Sequence, residues 1–530
     1  MRGFWRRGEP YVWATGLTLA VIICMTALLI GVVVGNGIGV FWPAPLVQFR
    51  LDDGSMLLGE EVGSEAADGG GEETKIQLKV GNRDLYGLDF RWVDAAAIRE
   101  RSIPAETLLV ERREHGNFHG YLRTIEAPLP DTLDGLPRLA AAIQLAKEIR
   151  AEENRLTARV RDFSSDLERL RHTLAKRRHQ KIPDSDERSA TILAEEKGLL
   201  AQAEAATRDL ERYRAEHSPG VAIFADATGA EVRIPLATIV RFCQPNAMNL
   251  TAKAGYYLEK IAELLWDEPR ESNTEGGLFP AIFGTVMLVF LMSALSFPLG
   301  VMAGIYLREY AKDGLLVKIV RIAVNNLAGI PSIVYGIFGL GFFVYGIGGA
   351  IDQIFFPERL PAPTFGTGGI LWASLTLGLL TVPVVIVATE EALGSITPGI
   401  REGSLALGAT KFQTLTRLLL PMASPGIMTG FILAMARAAG EVAPLMITGV
   451  VKLAPELPLD GTFPFLHLDR KFMHLGFHIY DIGFQSPNVE AAKPMVYVTT
   501  LLLILIVLAL CSTAIRLRNH MRKRYAISDV

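Results

Sequence analysis

Apolar residues in this chain are gathered into a few long runs, with polar stretches between them. A hydrocarbon core about 30 Å thick needs roughly 20 apolar residues in a helix. Residues 12–35 meet that requirement without a charge, and further runs follow at 280–307, 322–351, 366–389, 422–451 and 494–515. The pattern predicts six membrane-spanning helices. The first run is long and lacks an A-x-A-like exit, so it reads as a retained anchor, not a cleaved signal peptide. Only the fifth run carries charges near its middle, Arg437 and Glu441.

Between the first two runs, residues 40–275 have the pattern of a water-soluble domain. Short β-like runs at 75–81, 88–93 and 108–125 are punctuated by Gly and Asn. The acidic, glycine-rich stretch 59–73 reads as a mobile loop. Then Leu156, Val160, Phe163, Leu167, Leu170 and Leu174 recur at alternating spacings of four and three, an apolar seam along one helix face. Pro183-Asp184-Ser185 interrupts it, and Ile192, Leu199, Ala203, Ala206, Leu210 and Tyr213 resume a similar spacing. An antiparallel helical hairpin follows. Residues 221–224 and 231–234, joined through Asp226-Ala-Thr-Gly229, predict a β-hairpin that returns the chain to the β-rich module. This insert holds no catalytic constellation; a docking or structural domain is the plain expectation and a ligand sensor the alternative.

Composition agrees with this division. Half of the 530 residues are hydrophobic and 21% are charged, with mean hydropathy +0.28. That is too apolar for an ordinary soluble protein and too charged for one wholly embedded in lipid. A net charge of −3 gives no global basic surface, so nucleic acid is not an expected partner. Cys24, Cys243 and Cys511 are too scattered for a disulfide framework or a metal site. Positive charges flank the runs in four sets: Arg2, Arg6 and Arg7; Arg308, Lys312, Lys318 and Arg321; Arg401, Lys411 and Arg417; and Arg516, Arg518, Arg522, Lys523 and Arg524. If each run crosses once, all four lie on one side, which the positive-inside rule makes cytoplasmic. Both termini are then expected inside and the insert outside.

Residues 390–449 carry the most information. A loop starting Thr397-Pro398-Gly399 leads into a short helix at about 400–407; Gly408 bends the chain, and an amphipathic stretch reaches Pro421. Gly403, Ser404, Ala406 and Ala409 are small enough for this helix to sit closely in another protein's groove; a connector lying along lipid headgroups is the other reading. The pattern Glu402-x5-Gly408-x9-Leu418-x-Leu420-Pro421 resembles the EAA loop of ABC importer permeases, where it forms the coupling helix. Gly403 and Ser404 replace that loop's alanines, and Leu418 its isoleucine. With LAGIPSIVYGIFG at 327–339 and ARAAGEVAPL at 436–445, the chain resembles the PstA-type permease subunits of phosphate ABC importers.

Pattern and resemblance together predict a mainly α fold, a polytopic membrane bundle of about six helices; the large periplasmic α+β insert is read from the pattern alone and departs from the compact members of the family. The chain is expected to divide into an anchor at 1–39, the insert at 40–275 with its hairpin at about 138–217, the permease domain at 276–520 and a cytoplasmic tail at 521–530. Implied partners are a homologous PstC-like permease subunit, a dimeric PstB-like ATPase and a periplasmic PstS-like phosphate-binding protein. ATP and Mg would be bound by that ATPase, with no cofactor on this chain. The sequence holds no Gly-Lys dipeptide and so no G-x-x-x-x-G-K-[ST] phosphate-binding loop. Glu402, Gly403, Ser404, Ala406, Gly408 and Pro421 are the expected coupling residues. The chain is expected to be a transport subunit of the inner membrane, not an enzyme. Other oxyanions (phosphonate, sulfate, molybdate) remain alternatives, as does a membrane-anchored periplasmic interaction or signalling protein.

An arginine at mid-bilayer costs at least about 2.5–3.5 kcal/mol and needs a partner, a cavity or an anion. Glu441 can neutralise Arg437 as a structural pair; alternatively the guanidinium fork meets phosphate oxygens and Glu441 moderates the affinity. In the third run, Asn325, Asn326, Gly329, Pro331 and Ser332 interrupt the apolar pattern. Ser332 is a candidate pathway residue, and Gly329, Gly336 and Gly339 fit helix packing. His467, His474 and His478 lack the spacing of a metal site.

Overall fold

The computed structural model describes residues 9–66, 74–130, 133–312, 314–461, 463–486 and 488–525. Arg2, Arg6 and Arg7, part of the acidic stretch (67–73) and residues 526–530 of the tail lie outside the described residues. The chain forms two compact units. One comprises Met1–Val40, Leu278–Ile354 and Pro363–Val530; the other comprises Phe41–Gly277 and Phe355–Ala362. Helix α1 (Glu9–Ile38) belongs to the first.

The second unit contains two antiparallel five-stranded sheets. Strands β1 (Leu46–Leu51), β2 (Met56–Ala66), β3 (Thr74–Lys79), β4 (Phe90–Asp94) and β5 (Ile98–Ser102) are ordered β4-β3-β2-β1-β5. Residues 59–66, expected in a mobile loop, are instead the second half of β2, paired with β3 from Glu60↔Lys79 to Ala66↔Thr74. A Cβ on Gly59 would lie 2.3 Å from the Lys79 carbonyl oxygen, so glycine there serves a close strand approach, not looseness.

The second sheet uses β6 (Leu108–Arg112), β7 (Phe118–Glu126), β8 (Val221–Ala225), β9 (Glu231–Pro235) and β10 (Ile239–Cys243), in the order β10-β6-β7-β8-β9. Strands β8 and β9 form the expected hairpin; Asp226 Oδ1 accepts from the Thr228 and Ala230 amides at 2.9 and 2.8 Å to fix its turn. Helices α2 (Gly135–His179) and α3 (Glu187–Glu216) are the helical hairpin. Leu167 and Leu174 of α2, with Ile192, Ala206 and Leu210 of α3, are buried as the heptad spacing requires. The root of α2 does something else. Leu139, Ala142, Ile143 and Ala146 enter the sheet core with Val110, Phe118, Phe224 and Leu236. Further along α2, His172 Nε2 lies 2.9 Å from Glu358 Oε1, so the segment 355–362 is part of this unit. Helix α4 (Leu250–Trp266) closes the unit through a buried charge network: Lys260 Nζ is 2.9 Å from Glu111, and Arg241 donates to Glu263 at 2.5 Å.

In the first unit, six helices among the described residues are long and apolar enough to cross a membrane. They are assembled on glycines. Helix α5 (Phe279–Ile305) presents Gly300 and Gly304, where a Cβ would come within 2.7 Å of Val385 and Thr389 side chains on α8 (Ile370–Gly394). A second pair, Gly426 and Gly430, meets Ala392 and Ala388 on another side of α8 at 2.6 and 2.3 Å. Spacing of four puts each pair on one helix face, and loss of the side chain lets backbones approach where apolar burial alone gives no preference over lipid. Helix α8 is thus the most buried span and α1 the least. The hydroxyls of Ser374, Thr376 and Thr389 donate to carbonyls four residues back at 2.7 Å each, so no buried hydroxyl proton of theirs is wasted.

Two spans differ from the apolar runs. The third begins at Ser332, not at 322: residues 315–327 form a separate amphipathic helix α6 (Leu315–Leu327) with no buried residues, and Pro331 (φ −55°, ψ 134°) caps helix α7 (Ser332–Phe338). Proline has no N–H for the Leu327 carbonyl, which accepts from the Ile330 amide at 3.2 Å and the Tyr335 hydroxyl at 2.7 Å. The fifth span runs over Lys411–Gly440, not 422–451. It continues short helix α9 (Pro398–Ala406) through α10 (Lys411–Thr414) and a π-helical turn into α11 (Leu420–Gly440). Pro444 cannot donate to the Gly440 carbonyl, so the helix stops and α12 (Ala443–Thr448) starts afresh.

Candidate functional site

Helix α9 is held by an arginine and otherwise left open. Arg401 donates to Glu309 Oε1 at 2.8 Å and to the carbonyls of Ile396 and Leu393 at 2.8 and 2.5 Å, so it satisfies the carboxyl end of α8 while bracing α9. Ser404 Oγ lies 2.9 Å from Thr414 Oγ1. None of the residues of α9 is buried; Glu402, Gly403 and Ala406 are exposed, and a Cβ on Gly403 would meet nothing within 4 Å. Gly408 follows at φ +85°, a conformation side chains resist. A capping box of Thr410 and Gln413 then restarts the helix. Leu405, Leu407 and Phe412 are exposed apolar side chains around this turn, and Leu407 is 91% exposed. Such a display on a short, braced helix with small residues is what a protein groove needs. Pro421 sits in the first turn of α11, past the π-helical turn Leu415–Leu419, where a missing donor is tolerated.

Arg437 stands in the last turn of α11, not at mid-helix, because that helix ends three residues later. Glu441 is the capping residue just beyond its end, with extended backbone (φ −79°, ψ 132°). The pair is held at 3.4 Å, Arg437 Nε to Glu441 Oε1, with side chains 33% and 22% exposed. No other side-chain hydrogen bond of Arg437 is present among the described residues, so the two terminal amino groups of the fork carry none there. The carbonyls ending α11 add a favourable field for the cation. Ser332 is not brought to this pair by any direct contact. It opens α7, which packs on α12 where a Cβ on Gly336 would lie 2.8 Å from Pro444 Cα. Tyr335 of α7 shares a buried cluster with Ala438 and Leu445, on either side of the pair. Broken membrane helices are where transporters place ion sites, and Arg437 lies at such a break.

A family model described as binding-protein-dependent transport system inner membrane component matches residues 296–526. A probable phosphate transport system permease protein PstA of Methanocaldococcus jannaschii is 32% identical over 241 residues, covering 45% of this chain and 74% of that protein. The chain belongs to this family. It is also similar to a probable ABC transporter permease protein YqgH of Bacillus subtilis, 34% identical over 205 residues, covering 38% of this chain and 62% of that one. A phosphate transport system permease protein PstA 1 of Mycobacterium tuberculosis is 35% identical over 214 residues, covering 40% and 63%. The chain thus spans a little under two thirds of the length of two of these relatives. As a member of this family it is a multi-pass membrane protein and a transport component. The insert at 41–277 precedes the matched residues.

Within the family's matched region, the sequence reading overlooked the brace. Arg401 and Arg321 were visible only as topology charges. Arg321 Nε is 3.1 Å from Glu390 Oε1 and its Nη2 donates to the Leu307 carbonyl at 3.0 Å. Glu309 and Glu390, acidic residues among flanking arginines, were the available signal. The three histidines separate: His467 meets Asp460 at 3.0 Å, His474 accepts from the Gly476 amide at 3.1 Å, and His478 lies 3.2 Å from Thr499 Oγ1.

Proposed function

We propose that this chain is the phosphate-translocating permease subunit of an ATP-driven importer. The observation that carries it is that the family-matched residues 296–526 contain both the exposed α9 loop and Arg437, in a chain 32–35% identical to relatives named as phosphate permeases. Helix α9, with Glu402, Gly403, Ser404, Ala406 and Gly408, docks into a dimeric ATPase that binds ATP and Mg; this chain carries no cofactor. Pro421 marks where the coupled segment enters the bundle. Closure of the ATPase pushes on α9, which Arg401 ties to the end of α8 and to Glu309, so the motion reaches the core span directly. A PstC-like second permease subunit completes the path, and a PstS-like binding protein delivers phosphate from outside. Arg437 receives the anion with its free fork edge, Glu441 limits how tightly it is held, and Ser332 lines the path at the start of α7. Both termini face the cytoplasm, as the Arg308, Arg321 and Arg401 loops gathered at one end of this unit suggest.

The test is uptake of radiolabelled phosphate by cells lacking this chain and by the same cells complemented with it, in the presence of excess sulfate, molybdate or phosphonate. Restored uptake that only unlabelled phosphate competes supports the reading. Restoration of another oxyanion's uptake, with phosphate uptake unchanged, overturns it.

A further inference from the structure

The insert contains a cleft that the transport reading does not use. It has a volume of 410 Å³ and lies where the root of α2, the end of α3 and the edge of the second sheet meet. Arg113 follows β6, Arg150 and Glu153 come from α2, and Arg214 with His217 from the end of α3; Glu114 completes the charged lining. Three arginines against two glutamates leave one positive charge in excess. Two of the arginines are partly engaged: Arg214 Nε donates to Glu153 at 2.6 Å, and Arg150 Nη1 to the Ala237 carbonyl at 3.1 Å. Arg113 differs. Its backbone amide is fixed on the Thr238 carbonyl at 2.9 Å, while its Nε is buried with no hydrogen-bond partner.

A buried donor without an acceptor is costly, and a buried cation more so. Burial, with the charges of Arg150 and Arg270 adding to it, pulls Arg113 down to about 10, and Asp267 and Glu263 offset only part of this. An anion held in the cleft would offset the excess positive charge that Arg113, Arg150 and Arg214 bring to its lining. A carboxylate offers one planar edge, whereas a phosphoryl group offers several edges to guanidinium groups arriving from different elements. The size lies within the range of small-ligand clefts.

We infer that the insert binds a small phosphoryl anion in this cleft, with Arg113 and Arg150 as its principal donors, at a site separate from the transport path. Inorganic phosphate and a phosphomonoester such as glycerol 3-phosphate share the required chemistry.

The test uses the full chain in lipid nanodiscs, in an Arg437→Gln background that removes the proposed transport site from the measurement. Equilibrium binding of radiolabelled phosphate and of glycerol 3-phosphate is measured, with acetate as competitor. Saturable binding of either, lowered about tenfold or more by Arg113→Gln and less by Arg113→Lys, is expected. Whichever probe binds more tightly identifies the source. Melting temperature without ligand separates a site from a structural role: Arg113→Gln should leave it unchanged or raise it, since a half-buried cation beside Arg150 and Arg270 is removed. Unchanged binding in Arg113→Gln, a lowered melting temperature accounting for its loss, or equal competition by acetate would each overturn the assignment. Because Arg437 is already replaced, failure here leaves the transport reading standing, and the converse holds.

Discussion

Replacement of Arg437 and Glu441, singly and together, separates an ion pair kept for stability from an arginine kept for an anion. At 3.4 Å the charges attract by about 5 kcal/mol if the effective dielectric constant is about 20. Side chains left 33% and 22% exposed return most of this to solvent screening and desolvation, so a net contribution of about 1 kcal/mol is expected. Arg437→Gln should therefore reduce membrane abundance only modestly. Loss of a charged donor at an anion site costs about 2–5 kcal/mol, or roughly 30- to 5,000-fold, and uptake should fall to background. Arg437→Lys keeps the charge but not the fork and should retain partial uptake at most. Abundance by quantitative immunoblot and phosphate uptake are read on the single variants and on Arg437→Gln with Glu441→Gln. The double variant should recover abundance without recovering uptake. A transport-competent double variant refutes the anion role, because no guanidinium would then be needed.

Four further outcomes follow from the geometry. Gly408→Val, at φ +85°, should cost about 1–2 kcal/mol locally and abolish uptake, while Gly408→Asn, which tolerates that conformation better, should retain some; equal uptake in both would remove the turn from the coupling path. Gly430→Leu must displace Ala388, already 2.3 Å from an added Cβ, and should lower abundance through about 1–3 kcal/mol of overpacking, whereas Gly403→Leu, which meets nothing within 4 Å, should insert normally and lose uptake by obstructing docking; normal uptake in Gly403→Leu would count against α9 as the docking helix. Deleting residues 155–212 behind a Gly/Ser linker should spare the insert's core, but a deletion starting at Leu139 removes four core side chains from α2 and should unfold it; equal protease resistance of the two deletions would contradict the packing. Burial, with Lys79 nearby, holds buried His119 down at about 3, below its ordinary 6.5. The unfolded chain takes up that proton first, so stability of the insert should fall as pH drops from about 6.5 toward 3, and His119→Gln should flatten the slope in melting curves; an unchanged slope would reject the assignment.

The apolar runs by themselves determined six spans, because lipid demands an unbroken stretch of uncharged helix and nothing else in the sequence imitates one. The heptad seam determined the helical hairpin, and the Glu402-to-Pro421 pattern determined which loop is presented. What the sequence misplaced were boundaries where backbone hydrogen bonding outweighs hydropathy. Residues 322–331 and 441–451 extend runs long enough to span, yet Pro331 and Pro444 each deny a carbonyl its donor, so the third helix starts late and the fifth stops early. That moved Arg437 from mid-helix to a helix end. Tertiary structure alone decided the rest. Gly300, Gly304, Gly426 and Gly430 reveal their role only when α8 is placed between them. Arg401 becomes a brace only when Glu309, 92 residues away in sequence, folds to meet it. The root of α2 falls within the bounds expected for the hairpin yet is sheet core by contact, because an apolar helix face serves whichever surface the chain brings against it.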